Sequence, residues 1–371
     1  MKPIRVLQVA TIMNRGGLET MLMNYYRQMD RSKIQFDFMV HRGEEGHYDE
    51  EIRSLGGKIY RMPQIKPGNY RKYFKLLDQF FIDHKEYKVI HSHINENSSF
   101  VLRAAKRAYI PCRIAHSHLS DLSLDYKFPF RIYAKTAMKN QPTHYFACSN
   151  KAGEWLFGKN VLKSDRVHVL NNAVNTEEFR FDLKRRTKIR KELGLKENQL
   201  VIGHIGRFNP QKNHEYLIDI FQEVHRRRPD SVLILAGDGV LRRRIERKVE
   251  ELGLTPFVKF LGVRKDVPNL MQGFDLFLFP SLYEGLPVVL VEAQAAGLPC
   301  VVADTITTEA KITDTLLYEG LESSPSLWAE KILDLDVPRV DTTEELSSKG
   351  YDTESMAGWL TDYYKKYYVA K

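Results

Sequence analysis

The stretch DLFLFPSLYEGLPVVLVEAQAAGLPCVVAD, residues 275–304, decides the fold. It contains two short apolar runs, at 276–279 and 300–303, and a segment of helical length between them. Strands that are apolar along their whole length are typical of parallel sheets covered by helices on both faces. The stretch therefore predicts two buried parallel strands joined by a crossover helix.

Similar runs alternate with helix-like segments along most of the chain. The strand-like runs are IRVLQVA, IQFDFMV, KVIHSH, CRIAHSH, HYFACS and VHVLNN, then LVIGHIG, SVLILAG and VKFLG. The alternation lapses at residues 176–198, where the chain becomes charged and helical. This pattern predicts two doubly wound α/β domains. We place them at 1–178 and 179–351, and we expect a helix within 352–371 to pack back on the first domain.

That terminal helix is predicted from an apolar stripe at helical spacing. The stripe consists of Met356, Trp359, Leu360, Tyr363 and Tyr367.

Composition excludes several classes of protein. The chain has 371 residues, of which 43% are hydrophobic and 28% charged, as in soluble globular proteins with two domains. It contains no run of about 20 apolar residues that could span a membrane. Its three cysteines lack CxxC spacing, which counts against a disulfide framework or a zinc site. We expect a cytoplasmic protein with core cysteines.

The formal net charge of +9 favours an anionic partner. Much of that charge lies in the clusters at 184–186, 226–228 and 242–244, which fall in helix-like stretches. We expect these clusters to be solvated helix faces. Because the charges are scattered and no nucleic-acid motif is present, we do not expect nucleic-acid binding.

A glycine pair, Gly16-Gly17, follows the first predicted strand and begins a helix. Glycines there allow backbone N–H groups to approach an anion at the helix N-terminus. The alternative is a tight turn that binds nothing. Neither this pair nor the Gly237–Gly239 segment has the GxGxxG spacing of dinucleotide-binding proteins, so a nicotinamide or flavin enzyme is not supported.

Two histidine pairs end consecutive strands, His91 with His93 and His116 with His118. We expect at least one imidazole of each pair to reach the carboxyl edge of the sheet. Metal binding is one interpretation, but no nearby carboxylate or cysteine completes a ligand set. The sequence favours hydrogen bonding in loops.

The segment IGRFNPQKNHEYL places Arg207 just past a strand and Lys212 five residues later, beside Asn213 as a helix N-cap. A planar guanidinium and a mobile ammonium at a helix start suit a diphosphate. The alternative is a solvated basic loop.

The segment EGLPVVLVE carries two glutamates that flank a helix start. Pro287 suits the first helical position, and Gly285 frees the backbone before it. Glu284 lies in the loop and Glu292 a little more than one turn inside the helix, where a carboxylate can accept hydrogen bonds from vicinal hydroxyls. We expect the free N–H groups to belong to Leu286, Val288 and Val289.

Together these segments resemble the family 4 retaining glycosyltransferases, which have the GT-B fold of two Rossmann-like domains facing each other across a cleft. The similarity covers nearly the whole chain. It runs in order through the Gly16-Gly17 loop, IAHSH, ACSN, VLNNAVNTEEF, IGRFNPQKNHEYLI, LAGDG, FLG and PSLYEGLPVVLVEAQAAGLPCVVA. The two glutamates separated by seven residues, with Gly-Leu-Pro between them, are the most specific feature.

The resemblance implies roles for single residues. Glu292 would bind the nucleotide ribose, and Arg207 and Lys212 the diphosphate. His116 would contact the donor sugar near its reacting carbon, with Glu284 beside the sugar. Backbone contacts to the donor would come from Gly16, Gly17, Val263, Gly285, Leu286, Pro287, Val288 and Val289. The catalytic set would be His116, Glu284, Arg207 and Lys212.

The chain departs from the family pattern in two segments. Ala173 and Asn175 stand where the family usually has Gly and Asp, and DTITTEAK, residues 304–311, lacks the usual glycine-rich turn. This second departure leaves the contact of that loop with the sugar in doubt.

The implied function is transfer of a hexose or N-acetylhexosamine, with retention, from a nucleoside diphosphate sugar in which UDP is favoured. The acceptor would be a hydroxyl of a glycan or lipid-linked saccharide, in capsular or extracellular polysaccharide synthesis. Because Arg207 and Lys212 would replace a metal ion, we expect no cofactor. Alternatives are a GT-B nucleotide-sugar epimerase and a non-catalytic basic protein that binds a membrane or nucleic acid.

Two stretches interleave basic and aromatic residues, a composition suited to a membrane interface. For residues 70–85 we expect a core helix instead. For residues 125–139 we expect peripheral contact with anionic lipid at the inner face of the cell membrane, through Phe128, Phe130, Arg131 and Lys135.

Overall fold

The computed structural model describes residues 2–66, 68–118, 128–162, 167–335 and 337–368. The chain divides into two compact units. Unit 1 comprises Met1–Ala173 and Thr353–Lys371, and unit 2 comprises Val174–Asp352. Each unit is built around one parallel β-sheet flanked by helices.

Unit 1 has a seven-stranded sheet in the order β3-β2-β1-β4-β5-β6-β7. Its strands are β1 Ile4–Ala10, β2 Ile34–Val40, β3 Ile59–Arg61, β4 Val89–Ser92, β5 Cys112–Ser117, β6 His144–Ala147 and β7 Val167–Val169. Its described helices are α1 Gly17–Gln28, α2 Asp49–Ser54, α3 Tyr70–Asp83, α4 Ser98–Arg107, α5 Phe128–Ala137, α6 Asn150–Phe157, α7 Lys159–Leu162 and α16 Thr353–Tyr368.

Unit 2 has a six-stranded sheet in the order β10-β9-β8-β11-β12-β13. Its strands are β8 Val201–Ile205, β9 Val232–Ala236, β10 Val258–Phe260, β11 Leu276–Phe279, β12 Cys300–Ala303 and β13 Leu316–Glu319. Its described helices are α8 Thr176–Phe179, α9 Leu183–Glu192, α10 His214–Arg227, α11 Arg242–Glu251, α12 Val267–Gln272, α13 Val288–Ala295, α14 Pro325–Leu333 and α15 Thr343–Ser348.

The strands predicted from apolar runs are confirmed, and every described strand pair is parallel. The prediction missed β3 and β13, which lie at sheet edges. An edge strand pairs on one side only, and these two are short and partly exposed, so neither reads as a continuous apolar run.

The terminal helix α16 packs in unit 1 against α1, β1 and β4. Its predicted stripe is partly wrong, because Trp359 is 39% exposed whereas Tyr364 is fully buried. The described part of this helix ends at Tyr368, so residues 369–371 lie outside the described residues.

One basic cluster differs from the expected solvated face. The guanidinium of Arg186 lies 2.7 Å from the Asp275 carboxylate and is only 13% exposed. Arg190, one turn later on α9, is buried against the same carboxylate at 3.2 Å. Asp275 also accepts a hydrogen bond from the Val201 N–H. These arginines hold α9 at the amino ends of the central strands β8 and β11, a contact that local sequence does not indicate.

Two negative predictions concern the cysteines and membrane spans. All three cysteines are buried and free, as predicted, and burial raises the pKa of the Cys112 thiol to about 12. None of the described helices is both long and apolar enough to cross a membrane.

Candidate active site

Helix α13 begins directly after the loop that follows β11. The helix begins at Val288, and Pro287 is its N-cap, with φ −74° and ψ 126°. The prediction of Pro287 as the first helical residue is therefore wrong by one position, because its ψ is extended. The N–H groups of Val288 and Val289 remain in the first turn, where a helix offers no carbonyl partner.

Two loops of unit 2 are tied together beside this helix. The Leu282 N–H donates to the Gln211 carbonyl at 2.8 Å, and the Gln211 side-chain amide donates to the Tyr283 carbonyl at 3.0 Å. Lys212 ends the short 3-10 turn Pro210–Lys212, which is capped by the Asn209 side chain. These bonds set the position of Lys212 relative to Glu284.

Lys212 and Glu284 form an ion pair. The Lys212 ammonium lies 2.6 Å from the Glu284 carboxylate, and the two side chains are 14% and 10% exposed. The ammonium also lies 4.5 Å from the centroid of the Phe279 ring, within range of a cation–π contact. The structure thus joins two of the predicted site residues and holds a positive charge at a defined point.

The remaining predicted residues of unit 2 have contrasting environments. The Arg207 side chain is exposed, and its guanidinium makes no hydrogen bond or ion pair with the residues that the structure describes, whereas its backbone carbonyl accepts from the Asn209 N–H at 2.8 Å. Val263 is 45% exposed and follows Gly262, whose φ of 67° turns the chain after β10. Glu292 lies on the second turn of α13 and is buried. Gly285 and Leu286 precede the helix, and Leu286 is buried.

The loop after β12, which departs from the family pattern, contacts the Glu284 loop. Glu284 and Ile306 form an isolated parallel bridge, and the Thr305 hydroxyl donates to the Ser281 carbonyl at 3.0 Å. Side-chain and backbone hydrogen bonds thus hold this loop where the family uses glycines. The other departure, Asn175, caps α8 by accepting a hydrogen bond from the Glu178 N–H.

Two buried histidines lie near Lys212. His214 begins α10 and stacks on Phe208 at 4.1 Å, and His204 Nδ1 lies 2.9 Å from the Leu278 carbonyl. Burial, and then the charge of Lys212, lowers the pKa of His214 to about 4. Burial also lowers the pKa of His204. At neutral pH these rings add no charge beside the ammonium.

In unit 1, Gly16 is the N-cap of α1, and Gly17 is the exposed first residue of the helix. The Gly16 N–H donates to the Asn14 carbonyl at 2.9 Å.

The four histidines of unit 1 form one cluster. His116 lies on β5 and His91 on the neighbouring strand β4, and their rings face each other with centroids 5.1 Å apart. His93 directly follows β4 and His118 directly follows β5, and their ring centroids lie 5.2 Å apart. The sequence favoured hydrogen bonding in loops, whereas His91 and His116 lie within strands and, like His93, are buried. Their ring nitrogens bond to other side chains, except His116 Nε2, which has no partner among the described residues.

Burial keeps these imidazoles neutral. It is the main cause that lowers the pKa of His91, His93 and His116 well below the usual value, and neighbouring rings add to the effect. Burial lowers the pKa of His118 to about 3. Sequence reasoning missed two further members of the cluster, Gln8 and Tyr364. The signal for Gln8 was a polar residue at the centre of an apolar strand.

The segment predicted to contact a membrane is only partly described, since residues 125–127 lie outside the described residues. On α5, Phe130 stacks on Phe100 at 5.7 Å, and Lys135 lies over the Trp155 ring. Arg131 lies 3.8 Å from the buried Glu96 carboxylate. The large apolar side chains that α5 exposes are Ile132 and Tyr133.

Comparison with known proteins decides the family. The model of glycosyltransferase family 4 matches residues 15–178, and that of glycosyl transferases group 1 matches residues 185–318. The putative glycosyltransferase EpsF of Bacillus subtilis is 37% identical over an alignment of 369 positions, which covers 97% of this chain and 96% of that protein. This chain belongs to the family 4 glycosyltransferases. It is an enzyme that transfers a sugar.

Two other relatives of this glycosyltransferase have more specific names. The UDP-Gal:alpha-D-GlcNAc-diphosphoundecaprenol alpha-1,3-galactosyltransferase of Escherichia coli is 29% identical over 231 residues, 59% of this chain and 58% of that protein. The capsular polysaccharide biosynthesis glycosyltransferase CapH of Staphylococcus aureus is 25% identical over 340 residues, 89% and 90% of the two chains.

Among solved structures, Anabaena Alr3699/HepE in complex with UDP-glucose matches with a TM-score of 0.78 and 19% identity. The match covers 98% of this chain and 99% of that chain. This likeness confirms the GT-B fold that the sequence predicted.

Proposed function

We propose that this glycosyltransferase moves a hexose or N-acetylhexosamine from a UDP-sugar to a hydroxyl of a glycan or lipid-linked saccharide, with retention of anomeric configuration, in capsular or extracellular polysaccharide synthesis. The names of CapH and the E. coli galactosyltransferase support the pathway and the class of acceptor. The UDP-glucose complex of the Anabaena protein supports the donor class.

The observation that carries the proposal is the ion pair between Lys212 and Glu284. It places a largely buried ammonium in a loop fixed by backbone hydrogen bonds. When the bond between sugar and diphosphate breaks, negative charge grows on the departing UDP. A cation held in place beforehand stabilises that charge without reorganisation during the reaction.

The other residues of unit 2 have complementary roles in the proposal. The exposed guanidinium of Arg207 can donate two parallel hydrogen bonds to diphosphate oxygens. The first-turn N–H groups of α13 are oriented donors that suit phosphate or sugar oxygens. Glu292, buried on the next turn, is an acceptor for the ribose hydroxyls. Val263 and the backbone near it would contact the base.

Retention follows if the acceptor hydroxyl attacks the anomeric carbon on the side from which UDP leaves. The new glycosidic bond forms as the bond to phosphate breaks, and the acceptor proton passes to a phosphate oxygen. No protein carboxylate then serves as a nucleophile, and Glu284 remains the partner of Lys212. With two cations facing the leaving group, we propose that turnover needs no divalent metal.

A lipid-linked acceptor would require the enzyme to work at the membrane surface. The sequence predicted this contact at Phe128, Phe130, Arg131 and Lys135. Because the last three contact other side chains of unit 1, we propose instead that α5 contacts the membrane through Ile132 and Tyr133, which are 40% and 55% exposed. The basic net charge of the chain supports attraction to anionic lipid.

The test is to incubate the purified enzyme with a panel of UDP-sugars, with and without a chelator of divalent metals. We expect UDP release from at least one donor, slow without acceptor and unaffected by the chelator. Strict dependence on added divalent metal would contradict the assignment of Lys212 and Arg207. No release of UDP from any donor of the panel would contradict the UDP assignment.

A further inference from the structure

Six side chains of unit 1 form one hydrogen-bonded network. His91 Nδ1 lies 2.7 Å from the Tyr364 hydroxyl, and His91 Nε2 lies 3.1 Å from His116 Nδ1. His93 Nδ1 lies 3.0 Å from His118 Nε2. Gln8 joins the two branches: its Oε1 lies 2.8 Å from His93 Nε2, and its Nε2 lies 3.3 Å from the Tyr364 hydroxyl. The network brings together β1, β4, β5 and α16.

The direction of every bond in the first branch follows from the amide of Gln8. The amide nitrogen can only donate, so the Tyr364 oxygen accepts from it. The Tyr364 proton then goes to His91 Nδ1, the other polar atom within reach among the described residues. His91, which is neutral, carries its proton on Nε2 and donates it to His116 Nδ1. His116 therefore carries its proton on Nε2.

The second branch obeys the same rule. The Gln8 carbonyl oxygen can only accept, so His93 carries its proton on Nε2. Its Nδ1 then accepts from Nε2–H of His118. One amide orientation thus places the proton of all four imidazoles on Nε2. If the amide were turned over, every bond would reverse and all four protons would lie on Nδ1.

The first branch ends at a buried nitrogen that has no hydrogen-bond partner within the described part of the chain. His116 Nε2 is buried and makes no hydrogen bond with any residue that the structure describes. A buried donor left unsatisfied is costly, which suggests that a ligand oxygen completes the network.

A metal ion fits this cluster less well. One nitrogen each of His91, His93 and His116 lies within 4.8 Å of the others, which is a possible ligand set. However, both nitrogens of His91 and of His93 already have partners, as has His116 Nδ1. A metal would have to break the network that holds these rings.

We propose that Gln8 and Tyr364 are positioning residues that fix His116 as a hydrogen-bond donor, which presents Nε2–H to an oxygen of the nucleotide-sugar donor. The identity of the ligand rests on the proposed function, whereas the proton positions rest on unit 1 alone. With its proton on Nε2, His116 cannot take a proton from the acceptor through that atom. Its contribution is to orient and polarise the donor.

The direct test is nitrogen-15 NMR of the intact protein labelled at histidine, at neutral pH without substrate. Protonated and unprotonated ring nitrogens have well-separated shifts, and single substitutions of the four residues assign their signals. We expect all four to be neutral with the proton on Nε2. Protons on Nδ1 would overturn the proposal and would make His116 Nε2 an acceptor, suited to a base.

Tyr364→Phe tests the first branch, and Tyr363→Phe is its matched control. Tyr363 is the preceding residue of α16, and its buried hydroxyl has no partner among the described residues. Tyr364→Phe should allow His91 and His116 to populate both tautomers while His93 and His118 keep theirs. Tyr363→Phe should change none of the four. Loss of the preference in all four rings, or in none, would contradict the assigned directions.

Activity gives a second measurement that separates this proposal from the proposed function. Tyr364→Phe should lower kcat by roughly fivefold with the donor KM little changed, as expected for one hydrogen bond acting in the transition state. A wild-type enzyme with the expected tautomers that turns over no UDP-sugar would overturn the proposed function alone. Histidine signals that shift on addition of a chelator would show a bound metal and overturn the network.

Discussion

The polar clusters of the two units differ in charge and in the contacts that hold them. In unit 1, the histidine network is buried and neutral, and it is held by directional hydrogen bonds. In unit 2, Lys212 and Glu284 are charged, partly exposed and held by loops. A neutral network fixes the orientation of one hydrogen-bond donor, whereas the Glu284 carboxylate holds the charged Lys212 ammonium at one point. In the two proposals, the network of unit 1 accordingly orients His116 and the ion pair of unit 2 stabilises the leaving group.

A fall in pH should destabilise unit 1 more than unit 2, and we expect this to be the largest difference between the units. In unit 1 burial lowers the pKa of His41 to about 4 and of His118 to about 3, and it also lowers those of His91, His93 and His116. An unfolded histidine binds its proton near pH 6.5. The stability from these neutral rings is therefore complete above pH 6.5 and is lost as the pH falls towards their folded pKa values.

At pH 5, each fully buried neutral ring should lower the free energy of unfolding by up to about 2 kcal/mol relative to its value above pH 6.5. Unit 2 has only His204 and His214 of this kind among its described residues. Hydrogen exchange at pH 7 and pH 5 should show a larger loss of protection in unit 1. His47→Asn, which removes an exposed histidine, should leave this loss unchanged. Equal losses in both units would contradict the assignment of neutral rings.

Lys212→Ala should have the largest effect on turnover. Removal of one group that stabilises transition-state charge costs about 100-fold to 1000-fold in kcat. Lys248→Ala is the matched control, because it removes a lysine of unit 2 that is paired with Asp219 at 2.6 Å on another helix. Steady-state kinetics with excess donor should separate the two variants. Equal kcat values would show that the Lys212 ion pair is structural only.

Glu292→Ala should weaken UDP binding by about 2 kcal/mol, close to 30-fold, through loss of charge-assisted hydrogen bonds. The control is Glu330→Ala, at an exposed position of α14.

Arg207→Ala should weaken UDP binding at least as much as Glu292→Ala and should also lower kcat, because the charge of Arg207 is opposite to that of the leaving group. Calorimetric titration with UDP measures the affinity of each variant, and steady-state kinetics measures the kcat of Arg207→Ala. Unchanged affinity in both variants would place the nucleotide elsewhere.

The smallest expected effect concerns α5. Ile132→Ser combined with Tyr133→Ser should reduce co-sedimentation with anionic vesicles by a few fold. Tyr109→Ser removes a side chain that is 92% exposed elsewhere in unit 1 and should have no effect. Binding that does not increase with the anionic lipid content would refute the electrostatic part of this proposal.

The sequence predicted the parallel strands because apolar runs and turn residues act locally. It also singled out Lys212 and Glu284, since charged side chains next to a helix start are visible without the fold. It did not reveal that these two side chains pair, which depends on the hydrogen bonds of Gln211. Tyr364 was missed because its partners are 273 and 356 residues away in the chain, and helical periodicity says nothing about hydroxyl contacts.

The measurement that tests the central claim most directly is proton NMR of the sugar first released from a UDP-sugar in the presence of a chelator. The donors to use are UDP-glucose, UDP-galactose and their two N-acetylated counterparts, all with an α linkage. We predict that one of them gives the α anomer first, at a rate that the chelator does not change. Initial release of the β anomer, a need for divalent metal, or no turnover of any of the four would contradict a retaining, metal-independent UDP-sugar transferase.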